Sequence, residues 1–246
     1  MSGKNEKYVS LNVSDRTEMS AYVARPSAPG KNPGLMLFQE AWGVNAHIRG
    51  LAERFAQAGY VTIAPELFHR TAPGFEGDYA DFESTRPHVS ALTPAGIEAD
   101  IRASYAWLQG DAGTDPARIF STGYCMGGRV SFIANSVVPV RAAASFYGGG
   151  IVPANLERVP RLNGPMLFFW GGRDRHIGPD TISAVTGALR AAGKPFVNVE
   201  ISDADHGFFC DARAAYNKAA AAQAWPLLLT FFRENGGAEI ASLRSQ

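Results

Sequence analysis

The N-terminal part of the chain alternates short apolar runs with polar segments. Residues 8–13 (YVSLNV) and 18–26 (EMSAYVARP) flank the polar stretch SDRT, a pattern typical of two antiparallel strands joined in a hairpin. Residues 34–40 (GLMLFQE) form a short apolar run, as expected of a strand that is buried on both faces. Residues 60–67 (YVTIAPEL) indicate the next strand.

A helical pattern separates the last two of these strands. Asn45 can cap the N-terminus of this helix, and Gly59 can end it. Its apolar positions recur at the spacing of one helix face: Ile48, Leu51, Ala52 and Phe55.

The same alternation continues along the rest of the chain. Residues 68–93, rich in proline, glycine and charge, are predicted to form a long loop. Beyond this loop the pattern predicts helices at 94–110, from Cys125 onward, at 178–192 and at 213–233, and strands at 117–124, 141–148, 165–172 and 195–202. Such alternation predicts an α/β fold, in which a mostly parallel twisted sheet has helices on both faces and an N-terminal antiparallel hairpin. No linker divides the chain, so we expect residues 1–246 to form a single domain.

Composition argues against several classes of function. Lys+Arg and Asp+Glu both number 23, and no basic run occurs, which disfavours nucleic acid or an anionic membrane as the main partner. No apolar stretch approaches the roughly 18 residues of a membrane span, and the N-terminus lacks a signal-peptide pattern. The chain has only two cysteines, so we expect free thiols and a cytoplasmic location. We also expect a monomer or a weak homodimer.

The segment GYCMG (123–127) carries the strongest chemical signal. Cys125 lies at a predicted strand-to-helix junction, and the glycines at 123 and 127 permit a sharp turn there. Many hydrolases place a nucleophilic serine in this G-x-S-x-G frame. The N-terminus of the following helix would favour the reactive thiolate. The alternative is a small buried cysteine that only packs, but the frame favours a nucleophile.

A thiol nucleophile needs a base, and the base needs a group that orients it. His206 follows the last predicted strand and Asp174 follows the strand before it, so both fall at the same edge of the sheet as Cys125. The order nucleophile, acid, base is that of α/β-hydrolases. His176 could compete as the base, but it leaves no orienting acid in this order.

Other chemistries have little support. The chain has no H-x-x-x-H or C-x-x-C motif and no aspartate cluster with ligand spacing, so we predict no metal site. The glycines of CMGGR lack the Gly-Lys-Ser/Thr ending of a phosphate loop. A redox or metal-binding role for Cys125 and Cys210 is an alternative that rests only on their presence.

Together these motifs resemble the dienelactone hydrolase family of α/β-hydrolases, over about residues 8–235. The resemblance is carried by QEAWGVNAHIRGLAERFAQAGYVTIAPELFHRTAPG (39–74), GYCMGGR (123–129), YGGG (147–150), GGRDRHI (171–177) and ADHGF (204–208). It implies the α/β-hydrolase fold, a catalytic triad of Cys125, Asp174 and His206, and no cofactor.

The resemblance also implies that Glu40, at the end of the first parallel strand, helps to control thiol ionisation. A carboxylate beside a thiolate is unfavourable, so it would raise the pKa of the thiol or take up the proton itself. The alternative is a salt-bridged residue at a strand end. The backbone N–H groups of Met126 and Ala41 are the expected oxyanion hole, because this architecture takes one donor after the nucleophile and one after the first parallel strand.

Substrate recognition departs from the family pattern. Family members that act on dienelactone hold the substrate carboxylate with two arginines. Arg86 is the candidate for the first, whereas Cys210 stands where the second is expected and Arg213 comes three residues later. Aromatic residues could line the pocket instead: Trp42, Phe75, Tyr79, Phe82, Tyr147, Phe208 and Phe209. We therefore expect neutral aryl or alkyl esters rather than a small anionic lactone.

These observations predict an enzyme that hydrolyses ester or lactone bonds of small molecules through an acyl-cysteine intermediate. A side activity on uncharged phosphotriesters is also expected, because nothing about such a substrate repels a thiolate. Two alternatives stay open: a thioesterase or other acyl hydrolase of the same fold, and a non-catalytic binding protein on this scaffold.

Overall fold

The structure, a computed structural model, describes residues 7–237. Within this range eight strands form one sheet: β1 (Tyr8–Asn12), β2 (Glu18–Ala24), β3 (Asn32–Phe38), β4 (Val61–Pro65), β5 (Thr114–Tyr124), β6 (Ala143–Phe146), β7 (Met166–Gly171) and β8 (Phe196–Ile201). Their spatial order is β1-β2-β4-β3-β5-β6-β7-β8.

Helices connect most of these strands. The described helices are α1 (Ala46–Gln57), α2 (Arg86–Ser90), α3 (Pro94–Gly110), α4 (Met126–Val137), α5 (Pro179–Ala191) and α6 (Lys218–Asn235), with short 3₁₀ turns at Glu83–Thr85 and Leu156–Arg161. No helix among the described residues is long and apolar enough to cross a bilayer.

The pairing of the strands confirms the predicted sheet. β1 pairs with β2 and β2 with β4 in antiparallel fashion, and every pair from β4 to β8 is parallel. The chain runs from β3 to β4 on one side of β3 and continues on the other side with β5. In α/β sheets, ligands bind in the crevice beyond the carboxyl ends of the strands where the strand order reverses. Here that crevice lies between the ends of β3 and β5.

The core is built on the apolar runs that predicted the strands. The four residues from Leu35 to Phe38 in β3 are fully buried, so this strand is covered on both faces. Helix α1 buries the predicted face, and the Asn45 side chain caps it by accepting the Ile48 N–H at 3.2 Å. Burying one large apolar side chain contributes about 1.5–3 kcal/mol relative to leaving it exposed.

Two predicted boundaries were wrong. The segment 68–93 is not a continuous loop, because α2 and a 3₁₀ turn lie within it. The last helix begins at Lys218 rather than at 213, because the Asn217 side chain caps it by accepting the Ala220 N–H at 3.0 Å. The residues between β8 and Asn217 form turns. Those turns include His206.

Candidate active site

Cys125 occupies a sharp turn between β5 and α4. Its backbone has φ 54° and ψ −119°, a positive-φ conformation that non-glycine residues rarely adopt. A β-carbon at Gly127 would lie 2.3 Å from the carbonyl oxygen of Phe38, so only glycine allows the start of α4 to pack against the end of β3. The glycine frame read from the sequence is thus a steric requirement of this turn.

The three residues of the predicted triad lie in hydrogen-bonded series. The Cys125 Sγ and the His206 Nε2 are 3.1 Å apart, and the His206 Nδ1 and the Asp174 Oδ2 are 2.7 Å apart. Asp174 follows β7 and His206 follows β8, so the parallel strands deliver all three side chains to one edge of the sheet. Cys125 is half-buried, and the His206 side chain is 13% exposed, which leaves the site open to a small ligand.

The Asp174 carboxylate is held in place by the backbone. Its Oδ1 accepts the N–H groups of His176 at 2.8 Å and Ile177 at 3.2 Å, which leaves Oδ2 for His206. The ring of His176 lies 5.3 Å from that of His206 and is not the partner of Asp174. His176 therefore does not occupy the position of the base.

Electrostatics favour a charged acid and a protonated imidazole. Burial opposes charge on Asp174, but the hydrogen bond to His206 holds the pKa of this carboxyl below its usual value. Burial also opposes charge on His206, yet the hydrogen bonds to Asp174 and Cys125 raise the pKa of the imidazole to about 10. A cationic His206 is the form that would stabilise a thiolate beside it.

Glu40 lies beyond the end of β3 and is fully buried. Its Oε1 accepts a hydrogen bond from the Arg213 Nη1 at 3.2 Å, and its Oε2 accepts one from the Tyr79 hydroxyl at 3.2 Å. Among the described residues, no hydrogen bond joins Glu40 to Cys125. The structure thus shows the salt-bridged environment that the sequence left open as an alternative.

Arg213 belongs to this site. The sequence indicated only that Arg213 lies three residues after the position where the family has its second arginine. A β-carbon at Gly207 would come within 2.2 Å of its Nη1, so the guanidinium lies against the residue that follows His206. It also lies 4.9 Å from the ring centre of Trp42, within the range of a cation–π contact. Its charge is therefore engaged by Glu40 and Trp42.

The two predicted oxyanion donors lie on the flanks of the crevice. Met126 is the first residue of α4, so its N–H has no acceptor within the helix. Ala41 is buried just beyond the end of β3, the strand that neighbours β5. The contact between Gly127 and Phe38 fixes the start of α4 against this strand end.

The predicted substrate-binding residues divide into two groups. Trp42 packs against Tyr79 and Phe82 with ring centres 4.8 and 5.8 Å away, and the ring of Tyr147 lies 5.1 Å from that of His206. Arg86, however, is exposed on α2 and ion-paired with Glu83.

Phe208 is fully buried and packs against Phe146 and Tyr147. The structure therefore brings neither Arg86 nor Phe208 into the crevice. Arg86 lies on a short helix that the sequence did not reveal, and Phe208 serves as core.

A second polar cluster lies next to Glu40. The Nδ1 of His47, on α1, is 3.1 Å from the Asp211 Oδ1, and Cys210 is fully buried. Burial, with a further contribution from the charge of Glu40, raises the pKa of the Cys210 thiol to about 12. Sequence reasoning missed this cluster because its members come from three separate segments with no metal-ligand spacing.

A mostly parallel sheet with a thiol, an imidazole and a carboxylate in series at its carboxyl edge defines an α/β-hydrolase. The model of the dienelactone hydrolase family matches residues 19–236, and the chain belongs to that family. The family resemblance seen in the sequence is thereby confirmed.

Individual relatives agree with this assignment. A Synechocystis sp. protein named "Putative carboxymethylenebutenolidase" is 37% identical over 228 residues, covering 88% of this chain and 92% of its own. A protein of the same name from Escherichia coli K12 is 34% identical over 229 residues, covering 89% and 83%. With its family, these relatives show that the chain is a hydrolase acting on lactone or ester bonds.

Solved structures share the fold. The crystal structure of a "Putative Dienelactone Hydrolase" from Klebsiella pneumoniae has a TM-score of 0.83 and 34% identity, covering 92% of this chain and 98% of its own. A dienelactone hydrolase-like promiscuous phosphotriesterase from metagenomic libraries has a TM-score of 0.82 at 22% identity, covering 94% and 98%.

Proposed function

We propose that this chain hydrolyses esters or lactones of small molecules through an acyl-Cys125 intermediate. The observation that carries the proposal is the series Cys125–His206–Asp174, at 3.1 and 2.7 Å. A nucleophile, a base and a group that orients the base are the parts that covalent acyl transfer requires.

In the first half-reaction, the His206 Nε2 holds the proton of the Cys125 thiol as an imidazolium, and the Cys125 thiolate attacks the substrate carbonyl. The N–H groups of Met126 and Ala41 hold the oxyanion, and each such donor lowers the barrier by about 3 kcal/mol. The tetrahedral adduct then expels the alkoxide, which receives the proton from His206.

In the second half-reaction, His206 takes a proton from water and the hydroxide attacks the thioester. The carboxylic acid leaves, and the thiol is regenerated with the proton from His206. Asp174 keeps the Nδ1 proton of the imidazole in place throughout and stabilises the cation.

Glu40 acts in this scheme as a positioning residue. Its carboxylate holds Arg213 and Tyr79 beside the site. Glu40 therefore acts on the site through the placement of Arg213 rather than through a direct contact with Cys125.

The surroundings favour uncharged aryl or alkyl esters. Arg213 is already paired with Glu40 and Arg86 with Glu83, so the positive charge of each guanidinium is offset before a substrate carboxylate could bind. Trp42, Tyr79 and Phe82 supply an aromatic surface. Because a metagenomic relative is named a promiscuous phosphotriesterase, we also propose side activity on uncharged phosphotriesters.

A stopped-flow assay with p-nitrophenyl acetate tests the proposal. The wild-type protein should release close to one equivalent of p-nitrophenol per site in a burst, because acylation of Cys125 precedes slower deacylation. Cys125→Ala should give no burst, and Cys125→Ser should acylate more slowly. Matching traces from the wild type and Cys125→Ala would instead support a binding protein, and a strong preference for thioester substrates would favour a thioesterase.

A further inference from the structure

Three side chains of the types that bind zinc meet next to the triad. One ring nitrogen of His47, the Sγ of Cys210 and one carboxylate oxygen of Glu40 all lie within 4.8 Å of one another. Imidazole nitrogen, thiolate sulfur and carboxylate oxygen are the three ligand types of protein zinc sites.

His47 is arranged as a metal-binding histidine. Its side chain is only 6% exposed, and Nδ1 faces the carboxylate of Asp211. Its Nε2 is buried and has no hydrogen-bond partner among the described residues. A buried ring nitrogen without a partner is costly. A carboxylate on the opposite nitrogen is the usual arrangement of a histidine that binds a metal through its free nitrogen.

The other two groups suit a divalent cation. Cys210 and Glu40 are both fully buried, and each Glu40 oxygen accepts one hydrogen bond, which leaves further lone pairs. When a metal ion displaces the thiol proton, the Cys210 thiolate and the Glu40 carboxylate would carry two negative charges, of which Arg213 offsets only one. The divalent cation itself would balance the other.

A small movement of the side chains would bring the three ligand atoms to the spacing that zinc requires. Ligand atoms around a tetrahedral zinc ion are about 3.3–3.8 Å apart, so atoms within 4.8 Å of one another need to close by roughly 1.5 Å at most. A cleft of about 420 Å³ is lined in part by His47 and Asp211, so solvent reaches the His47 side of the cluster.

We propose that Glu40, His47 and Cys210 form a binding site for Zn²⁺ that is separate from the catalytic triad. Three protein ligands leave the fourth position of the ion to water. The Glu40 oxygen that binds zinc also accepts a hydrogen bond from Arg213 or Tyr79. Zinc binding therefore changes the charge beside Cys125. We expect zinc to inhibit hydrolysis for that reason; this consequence rests on the proposed function, whereas the binding site does not.

Binding is tested first, without reference to activity. In a Cys125→Ser background Cys210 is the only thiol, and Zn²⁺ is titrated in competition with a chromogenic chelator. We expect one equivalent to bind, and Co²⁺ to give a near-ultraviolet thiolate-to-metal band. Replacing a ligand, in Cys210→Ser or His47→Gln, should weaken zinc binding more than tenfold, whereas the matched control His88→Gln should bind as before.

The exposed partner of His47 provides a variant that is not expected to disturb folding. The Asp211 side chain is 74% exposed, and Asp211→Asn should weaken zinc binding roughly tenfold by removing the carboxylate behind His47. Unchanged zinc affinity in His47→Gln and Asp211→Asn would overturn the proposal. The proposal would also be overturned if zinc binding were lost on changing Cys125 but retained in Cys210→Ser. If zinc binds as proposed but no burst is seen with p-nitrophenyl acetate, only the proposed function fails.

Discussion

Cys125 and Cys210 carry the same thiol in opposite surroundings. Cys125 is half-buried at the start of α4, with the imidazole of His206 at 3.1 Å from its sulfur. Cys210 is fully buried in the turns that follow β8, and its pKa is raised to about 12 by burial and by Glu40. One thiol is presented to a base and to solvent, whereas the other is kept protonated.

The difference shows that the turn and its neighbours, rather than distance along the chain, determine which thiol faces the imidazole. Cys210 is only four residues from His206, yet the imidazole points to Cys125, which is 81 residues away in sequence. The strained backbone at Cys125 and the N-terminus of α4 have no counterpart at Cys210.

Asp174→Asn should disable the Cys125 site. An amide in place of the carboxylate removes the acceptor that fixes the His206 tautomer, and kcat/KM should fall roughly 10³–10⁴-fold. Steady-state kinetics with p-nitrophenyl acetate provide the measurement. The matched change Asp203→Asn, at an exposed aspartate in the same group of turns, should leave kcat/KM unchanged. Equal losses in the two variants would contradict an orienting role for Asp174.

Native-state thiol labelling should separate the two cysteines. At pH 8, a pKa raised from 9.0 to about 12 lowers the thiolate fraction of Cys210 roughly 10³-fold relative to an ordinary thiol. The Cys125→Ser protein should therefore be alkylated at least that much more slowly than the wild type, until denaturant exposes Cys210. Rapid native labelling of Cys125→Ser would show that burial does not suppress this thiol.

Gly127→Ala should destabilise the turn that presents Cys125. The added methyl group would meet the carbonyl oxygens of Phe38 and Gln39 at 2.3 and 2.6 Å, which we expect to lower the free energy of unfolding by about 2–4 kcal/mol. The control is Gly50→Ala on the exposed side of α1, where nothing lies within 4 Å of the new methyl group. That variant should be stabilised by up to about 1 kcal/mol. Denaturant midpoints compare the two, and a neutral Gly127→Ala would refute the steric argument.

The pH dependence of stability should report the charge on His206. Its folded-state pKa is raised from 6.5 to about 10, so the stabilisation from the protonated ring is complete below pH 6.5 and is lost as pH rises towards 10. The difference in free energy of unfolding between the wild type and His206→Gln should therefore be largest near pH 6 and shrink by pH 10. A difference that grows with pH would mean that the ring is neutral in the folded protein.

The sequence predicted the sheet well, and it placed the three residues of the proposed triad at strand ends, because both inferences depend on local signals. Continuous apolar runs such as 34–40 identify buried strands, and each triad residue follows a strand end that those runs define. Parallel strands then bring the ends together, so the meeting of Cys125 and His206 follows from strand direction alone.

Features that depend on several segments were not predictable in this way. Helix α2 spans five residues and is too short to show a helical period. Glu40, His47 and Cys210 meet only because α1 and the turns after β8 pack beside the end of β3. The pairing of Arg213 with Glu40 likewise depends on the path of the backbone through those turns, which the pattern of apolar residues does not predict.

The order of the strands has a consequence for synthesis on the ribosome. The turn that carries Cys125 is translated well before His206, and the base follows β8, the last strand of the sheet and one of its edges. Chains are made from the N-terminus at about 5–20 residues per second, so a nascent chain carries the Cys125 thiol for several seconds before His206 is added. Under the proposed mechanism, hydrolysis therefore has to wait until the edge strand β8 and the turns after it have been made.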